Sequence, residues 1–269
     1  MSKIKNVTLG SDIEFFLRHR ETGEMVSAEG YAKGTKEVPF IFDASNRFWA
    51  TSQDNVAYEG NIPPVNTKED WRKNITRLID YINSTLPPQL CTVAIPAFDF
   101  DPKYLNTEAT RQFGCSETYN CWTKQVNPSP NNFTNLRSTG KHIHAAWEEM
   151  DIETIENFIK SMDLFCGVPS VILEPANKRR ELYGKAGEFR FSSEIDRAEY
   201  RVLSSYFASS EELIDYTYDQ THLAIDYVNE GNIINTESTL GQDIIRAINT
   251  SNKDLAEKIV RELNIPILA

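Results

Sequence analysis

The sequence has no apolar run near the ~20 residues that a bilayer-spanning helix needs. Its longest apolar runs, residues 90–98 and 164–173, are too short. Cysteine is scarce: Cys91, Cys115, Cys121 and Cys166 contain no C-x-x-C and no regular spacing. A disulfide framework therefore has no support, and a reduced cytoplasmic protein is expected. The opening MSKIKNVTLGSDIEF places Lys5 and polar residues where the apolar core of a secretory signal would stand. Positive charge is also in deficit, with 28 Lys+Arg against 39 Asp+Glu and a net charge of −11. Such a field repels phosphate, so neither nucleic acid nor a membrane surface is expected as a partner. Walker A, G-x-G-x-x-G, G-x-S-x-G and H-E-x-x-H are all missing. P-loop, Rossmann and serine-esterase chemistries accordingly have no sequence basis.

What is present is an ordinary globular composition, 40% hydrophobic and 25% charged over 269 residues. A strand is expected over residues 7–19, then short strands and loops ending at Pro63-Pro64. Residues 67–86 are expected to form a helix with Thr67 and Asp70 as a capping pair and Trp71, Ile75, Leu78, Ile79, Ile82 and Leu86 on one stripe. Strands are expected at 90–98, 141–147, 170–174, 187–191 and 199–203, and a long polar loop over 99–136. Asp151 caps a further helix, and the last 60 or so residues read as helical. Strands and helices alternate without βαβ spacing, which gives an α+β fold: a mainly antiparallel sheet with helices packed on one face. One domain over residues 1–269 is expected, with a motif-bearing sheet region (1–207) and a helical C-terminal part (208–269).

Four constellations can carry chemistry. Asp12-Ile13-Glu14 lies in a strand, so its two carboxylates share a face, where a hard cation such as Mg²⁺ would offset their repulsion. Solvated charges on an open face are the bland alternative. Residues 53–64 form a second acidic stretch from which Asp54 or Glu59 could complete a metal site, although a polar turn would look the same. In Gly140-Lys141-His142-Ile143-His144 two of only four histidines share one strand face. Side-by-side imidazoles suit a metal or nucleotide, or they are hydrogen-bonded within a sheet. Arg179, Arg180, Lys185, Arg190 and Arg201 form the densest cationic stretch of this acidic chain. Guanidinium forks there fit a polyphosphate, or the stretch is a solvated loop.

In order, the words GSDIEFF (10–16), D-N-x-x-x-E-G-N-x-P (54–63), GCSETYNCWT (114–123), GKHIH (140–144), and YGKAGEFR with EYR (183–201) resemble the glutamine-synthetase-like carboxylate–amine ligases. The nearest resemblance is to the phage-encoded COOH-NH2 ligase type 2 family. That resemblance implies a curved, mainly antiparallel sheet of glutamine-synthetase catalytic-domain type that cradles ATP and two or three Mg²⁺ ions, with Mn²⁺ also admissible. It implies metal ligation by Asp12, Glu14, Glu59, His142 and Glu199, and nucleotide contacts from His144, Arg179, Arg180, Lys185 and Arg190. It assigns catalytic roles to Arg201, Arg190 and Glu59. Asp stands where the superfamily has Glu at the first acidic position, and Glu188-Phe189-Arg190 competes with Glu199-Tyr200-Arg201 for the E-x-R role.

The reading is an ATP-dependent acid–amine ligase working through an acyl phosphate, in the host cytoplasm if phage-encoded, on small-molecule or peptide carboxylates and amines. One rival is a metal-dependent amide hydrolase with His142, His144 and Asp12 on zinc, which leaves the arginines idle. The other is a non-catalytic binding or virion-associated protein that keeps the fold.

Overall fold

The computed structural model describes residues 3–111, 118–127, 134–192, 194 and 196–268. Strand β1 (Thr8–His19) organises it. Its alternation sends Leu9, Ile13, Phe15 and Leu17 into the main core and leaves Gly10, Asp12, Glu14 and Phe16 on the other face. After β2 (Met25–Val26) and β3 (Phe40–Ile41), strands β4 (Ala50–Asp54) and β5 (Ala57–Val65) continue the sheet beside β1. Helix α1 (Lys68–Thr85) follows, and Thr67 both accepts from the Asp70 N–H and donates to Asp70 Oδ2 at 2.8 Å. Its stripe of Trp71, Ile75, Leu78 and Ile82 is wholly buried, each side chain contributing about 1.5–3 kcal/mol.

The middle of the chain holds β6 (Leu90–Val93), β7 (Ala97–Asp99), a 3-10 turn (Pro102–Tyr104), α2 (Glu108–Arg111), β8 (Thr118–Asn120), β9 (Gln125–Asn127), β10 (Leu136–Ser138) and β11 (Lys141–Ala146). Helix α3 (Ile152–Met162), capped by Asp151, runs through a π turn (Asp163–Gly167) into α4 (Val168–Leu173). Then come α5 (Arg179–Leu182), β12 (Glu188–Phe191), β13 (Ala198–Tyr200), α6 (Glu211–Asn229), α7 (Thr239–Asn249) and α8 (Lys253–Glu262).

The large sheet runs β3-β4-β5-β1-β11-β13-β12-β8-β9, and every neighbouring pair is antiparallel. β2 and β6 pair with the far end of β1, and β7 with β10 forms a separate ribbon. Helices α1, α3 and α6 close the core face; the Trp71 indole N–H donates to Ile214 O at 3.0 Å and ties α1 to α6. The expected α+β arrangement, a large antiparallel sheet with helices on one face, is what the chain adopts.

Three local expectations are corrected. Of residues 170–174, expected as a strand, 170–173 are helical, because Pro169 at the start of α4 is preorganised for a helix that the π turn carries on from α3. A short apolar run does not distinguish strand from buried helix. The strand expected at 90–98 breaks before Pro96, its halves joining different sheets. Pro63 and Pro64 lie inside β5 rather than after it. The ladder to β4 ends at Ala50–Asn61 and the ladder to β1 is irregular between Leu9 and Ser11, so their missing N–H groups break no regular bond. Of the word at 114–123, residues 114–117, including Cys115, lie outside the described residues.

Candidate active site

Register alone assembles the site. Glu14 stands opposite Glu59, Asp12 opposite His142, His144 opposite Glu199, and Glu199 opposite Arg190. Side chains on paired positions share a face, so one polar stripe crosses five strands from β5 to β12 on the side away from α1, α3 and α6. The stripe has two centres.

The first is formed by Asp12, His142, His144, Glu199 and Arg201. His142 Nδ1 lies 2.7 Å from Asp12 Oδ1 and 3.7 Å from Glu199 Oε1, and His144 Nε2 lies 3.6 Å from Asp12 Oδ2. Arg201 donates to Glu199 Oε1 and lies 3.4 Å from His142 Nδ1, while Arg190 approaches the same Glu199 oxygen at 3.8 Å. The Tyr183 hydroxyl receives the Arg201 Nε–H at 2.8 Å and fixes its plane. Burial, helped by Arg201, pushes the His142 imidazole down to about 3 against the pull of Asp12, so it is neutral near pH 7. Burial opposes ionisation of Asp12, but the two imidazoles beside it outweigh that and hold its carboxyl well below the usual range.

The second centre is formed by Glu14, Glu59, Asp54 and Lys36. Lys36 Nζ sits 2.6 Å from Asp54 Oδ2 and 4.0 Å from Glu59 Oε2. Ser52 donates to Glu59 at 3.2 Å, and the Gly140 N–H donates to Glu14 Oε2 at 2.6 Å. Burial comes first in raising Glu14 well above the carboxylate range, with Asp54 and Glu59 adding to it. Burial also pushes Glu59 up to about 7, only partly offset by Lys36. Carboxylates crowded in this way gain from a cation.

Asp12, His144 and Glu199 each offer one ligand atom, and the three lie within 4.8 Å of one another. His144 Nε2 is buried without a hydrogen-bond partner among the described residues. Two carboxylates and an imidazole fit a divalent cation. Of the residues expected as ligands, Asp12 and Glu199 lie in this cluster together with His144, which was expected at the nucleotide, whereas His142 lies behind Asp12 and Glu14 and Glu59 lie at the second centre. His142 is the inner residue: its Nδ1 faces Asp12, and its Nε2 packs against Gly140, where a Cβ would stand 2.4 Å away.

The cationic stretch divides. Arg190 and Arg201 reach the stripe. Arg179 and Arg180, expected at phosphates, do not, because α5 turns both into the protein. Arg179 is 1% exposed and donates to the carbonyls of Thr139, Arg201, Val202 and Leu203. Gly184, with φ +76°, leaves room for it; a Cβ there would lie 1.7 Å from its guanidinium. Arg180 donates to Ser170 Oγ at 2.7 Å and pairs with buried Glu174 at 3.4 Å. Lys185 is exposed on the turn that follows. Glu188 accepts the Gly184 N–H at 2.8 Å and closes that turn, so Glu199 and Arg201 form the E-x-R pair that meets Asp12 and His142. Sequence reasoning missed Lys36 and Tyr183. Lys36 lies in an irregular segment with no periodic signal. Tyr183 opens the YGKAG word, where only its neighbours drew attention.

Acids, imidazoles and guanidiniums thus gather in one polar stripe on an antiparallel sheet, with Asp12, His144 and Glu199 close enough to share a cation. Residues 131–267, just over half of the chain, match the family described as Phage phiEco32-like COOH.NH2 ligase-type 2. The chain belongs to this family. The match takes in His142, His144, Arg190, Glu199 and Arg201; Asp12, Glu14 and Glu59 lie ahead of it. Among solved structures the chain is similar to a bifunctional glutathione synthetase from Pasteurella multocida, with 11% identity and a TM-score of 0.43, covering 96% of this chain and 49% of that one. The chain therefore spans about half the length of that enzyme. No curated protein sequence matches. No helix among the described residues is long and apolar enough to cross a membrane.

Proposed function

We propose that the chain is an ATP-dependent carboxylate–amine ligase working through an acyl phosphate, on a sheet of glutamine-synthetase catalytic-domain type. The observation that carries this reading is the convergence of Asp12, His144 and Glu199 with Arg190 and Arg201 on one open face. A carboxylate is a poor acylating agent, and transfer of the γ-phosphoryl group to it gives an acyl phosphate and ADP. A neutral amine then displaces phosphate, and one proton leaves as the amide forms.

Asp12, His144 and Glu199 would hold a divalent cation, Mg²⁺ or Mn²⁺, with Glu14 and Glu59 available to a second. A bound cation supplies charge neutralisation to the transferring phosphoryl group. Arg201 and Arg190, now gathered on Glu199, are placed to turn their guanidiniums to phosphate oxygens. Neutral His142 orients Asp12, as an imidazole beside a ligating carboxylate does. Small-molecule or peptide substrates and a cytoplasmic setting belong to this reading.

The test is calorimetry with Mn²⁺ and ATP, followed by hydroxylamine trapping of an activated carboxylate. Binding and a hydroxamate that depend on Glu199 and Arg201 support it. No binding at millimolar nucleotide would replace it with the non-catalytic reading.

A further inference from the structure

The two centres differ in what already neutralises them. At the first, Arg190 and Arg201 pair with Glu199, and His144 Nε2 is buried without a hydrogen-bond partner among the described residues. At the second, an ammonium sits among the acids. Lys36 Nζ lies 2.6 Å from Asp54 Oδ2 and 4.0 Å from Glu59 Oε2, and Glu59 stands opposite Glu14 across the ladder. The acids are the buried partners: 12% of the Asp54 side chain and 14% of the Glu59 side chain are exposed. An ion pair with both members in water would count for little, whereas these carboxylates have given up most of their water. Burial opposes charge on Lys36, but Asp54 and Glu59 outweigh it and raise the ammonium above the usual lysine range. The second centre therefore carries a monovalent cation of its own. The chain on either side of Lys36 fixes its approach. The Lys33 N–H donates to the Tyr58 hydroxyl at 3.1 Å, Thr51 Oγ1 donates to Lys33 O at 3.1 Å, and the Gln53 N–H donates to Gly34 O at 3.1 Å. Gly34 has φ +83°, and a Cβ there would stand 2.4 Å from Phe40 N and 2.6 Å from Thr51 O, so a side chain would push the segment off β4. Beyond Lys36 the Val38 N–H donates to Thr35 Oγ1 at 3.2 Å and closes the turn.

We propose that Lys36 is the resident cation of the second centre and competes with a second divalent ion for Asp54 and Glu59, so that the two centres fill in order: the first by itself, the second only against Lys36. The inference rests on the ligase reading and says how the cation sites of that reading are occupied. A divalent ion and an ammonium a few Å apart repel each other, so the two cannot share these carboxylates. The ammonium can yield, because it is a point charge on a flexible four-carbon stem whose backbone stays anchored while its head moves. The first centre holds no such movable group. Its cations are guanidiniums, and the Tyr183 hydroxyl receives the Arg201 Nε–H and keeps that one in place.

The test is calorimetry of the full chain with Mn²⁺ alone at about pH 8, where the acids are ionised. The wild type should show one tighter site and a second about tenfold weaker or more. Lys36→Met should tighten the second site by about tenfold or more, with the melting temperature retained, and Lys36→Arg, which keeps the charge, should behave as the wild type. Lys33→Met removes an equal charge three residues away, from a side chain that lies over the Phe40 ring, and should leave both sites unchanged. Adding Glu59→Gln to Lys36→Met should abolish the gain, which places it at the second centre. Two equal sites in the wild type, no tightening in Lys36→Met, the same tightening in Lys33→Met, or no Mn²⁺ binding in any variant would overturn the proposal. Hydroxamate formation with Mn²⁺–ATP reports the ligase reading separately. Its presence without tightening in Lys36→Met removes the competition alone; its absence with the tightening present removes the ligase reading and leaves the competition.

Discussion

The Gly140 N–H donates to Glu14 Oε2 at 2.6 Å, which joins the strand carrying the histidines to the strand carrying the acids through one hydrogen bond. The same glycine leaves the space into which His142 Nε2 packs. Gly140→Ala should therefore disturb both centres together. A Cβ 2.4 Å from the imidazole must push His142 off Asp12, and displaced partners of metal ligands typically cost 10- to 100-fold in affinity. Mn²⁺ titration of the variant should show a fall of about that size. An unchanged affinity would mean that His142 does not orient Asp12.

The basic stretch should separate into two kinds of arginine. Arg179→Met takes the guanidinium from the buried carbonyls of Thr139, Arg201 and Val202, while Leu203 O keeps the Lys141 N–H at 3.0 Å. Each orphaned acceptor costs about 1–3 kcal/mol, so the variant should unfold at markedly lower denaturant or fail to fold. Arg190→Met, at a partly exposed position on the stripe, should change stability little and lower nucleotide-dependent activity strongly. Chemical denaturation beside ADP release measures both. Equal stability losses in the two variants would contradict the division.

How far the sequence spoke follows from the range of each interaction. Period-two spacing on β1 and β11 placed Asp12 with Glu14 and His142 with His144, because strand alternation is local. Caps at Thr67 and Asp151 were legible for the same reason. The partnership of His144 with Glu199 depends on strand register, which no single-strand pattern contains. Arg179 and Arg180 read as phosphate ligands because residue type does not reveal that a four-residue helix turns them inward. The run 170–174 misled because a short apolar segment fits either period.

Lys141, immediately before His142 in sequence, points to the helices and makes stability depend on pH. Its ammonium is fully buried, donating to Phe207 O and Thr217 Oγ1, and burial pushes it down to about 7. Between pH 7 and about 10.5 the unfolded chain binds this proton and the folded chain has released it. This group's contribution to stability therefore rises with pH across that window. Thermal unfolding from pH 7 to 9.5 should show the rise, and Lys141→Met should flatten it. Asp163 acts in the opposite sense below neutrality. Burial raises it to about 7 while Trp122 and Tyr200 donate to it, so its contribution is greatest below about pH 4 and diminishes as pH rises towards 7.

Cation binding should release protons. Glu59 is raised to about 7 and Glu14 is raised well above the carboxylate range, both chiefly by burial, so near pH 6 these groups hold protons that a ligating carboxylate must lose. Mn²⁺ affinity should therefore increase from pH 6 to pH 8, and calorimetry in two buffers of different ionisation enthalpy should count protons released. Glu59→Gln removes one such group and should reduce both the pH slope and the proton count, whereas Glu59→Asp should keep them with weaker binding. The first centre responds differently: Asp12 is held low and His142 is already neutral, so neither adds to the slope above pH 6. A slope that survives Glu59→Gln but vanishes in His144→Ala would move the titrating ligand to the first centre and take Glu59 out of the cation's reach.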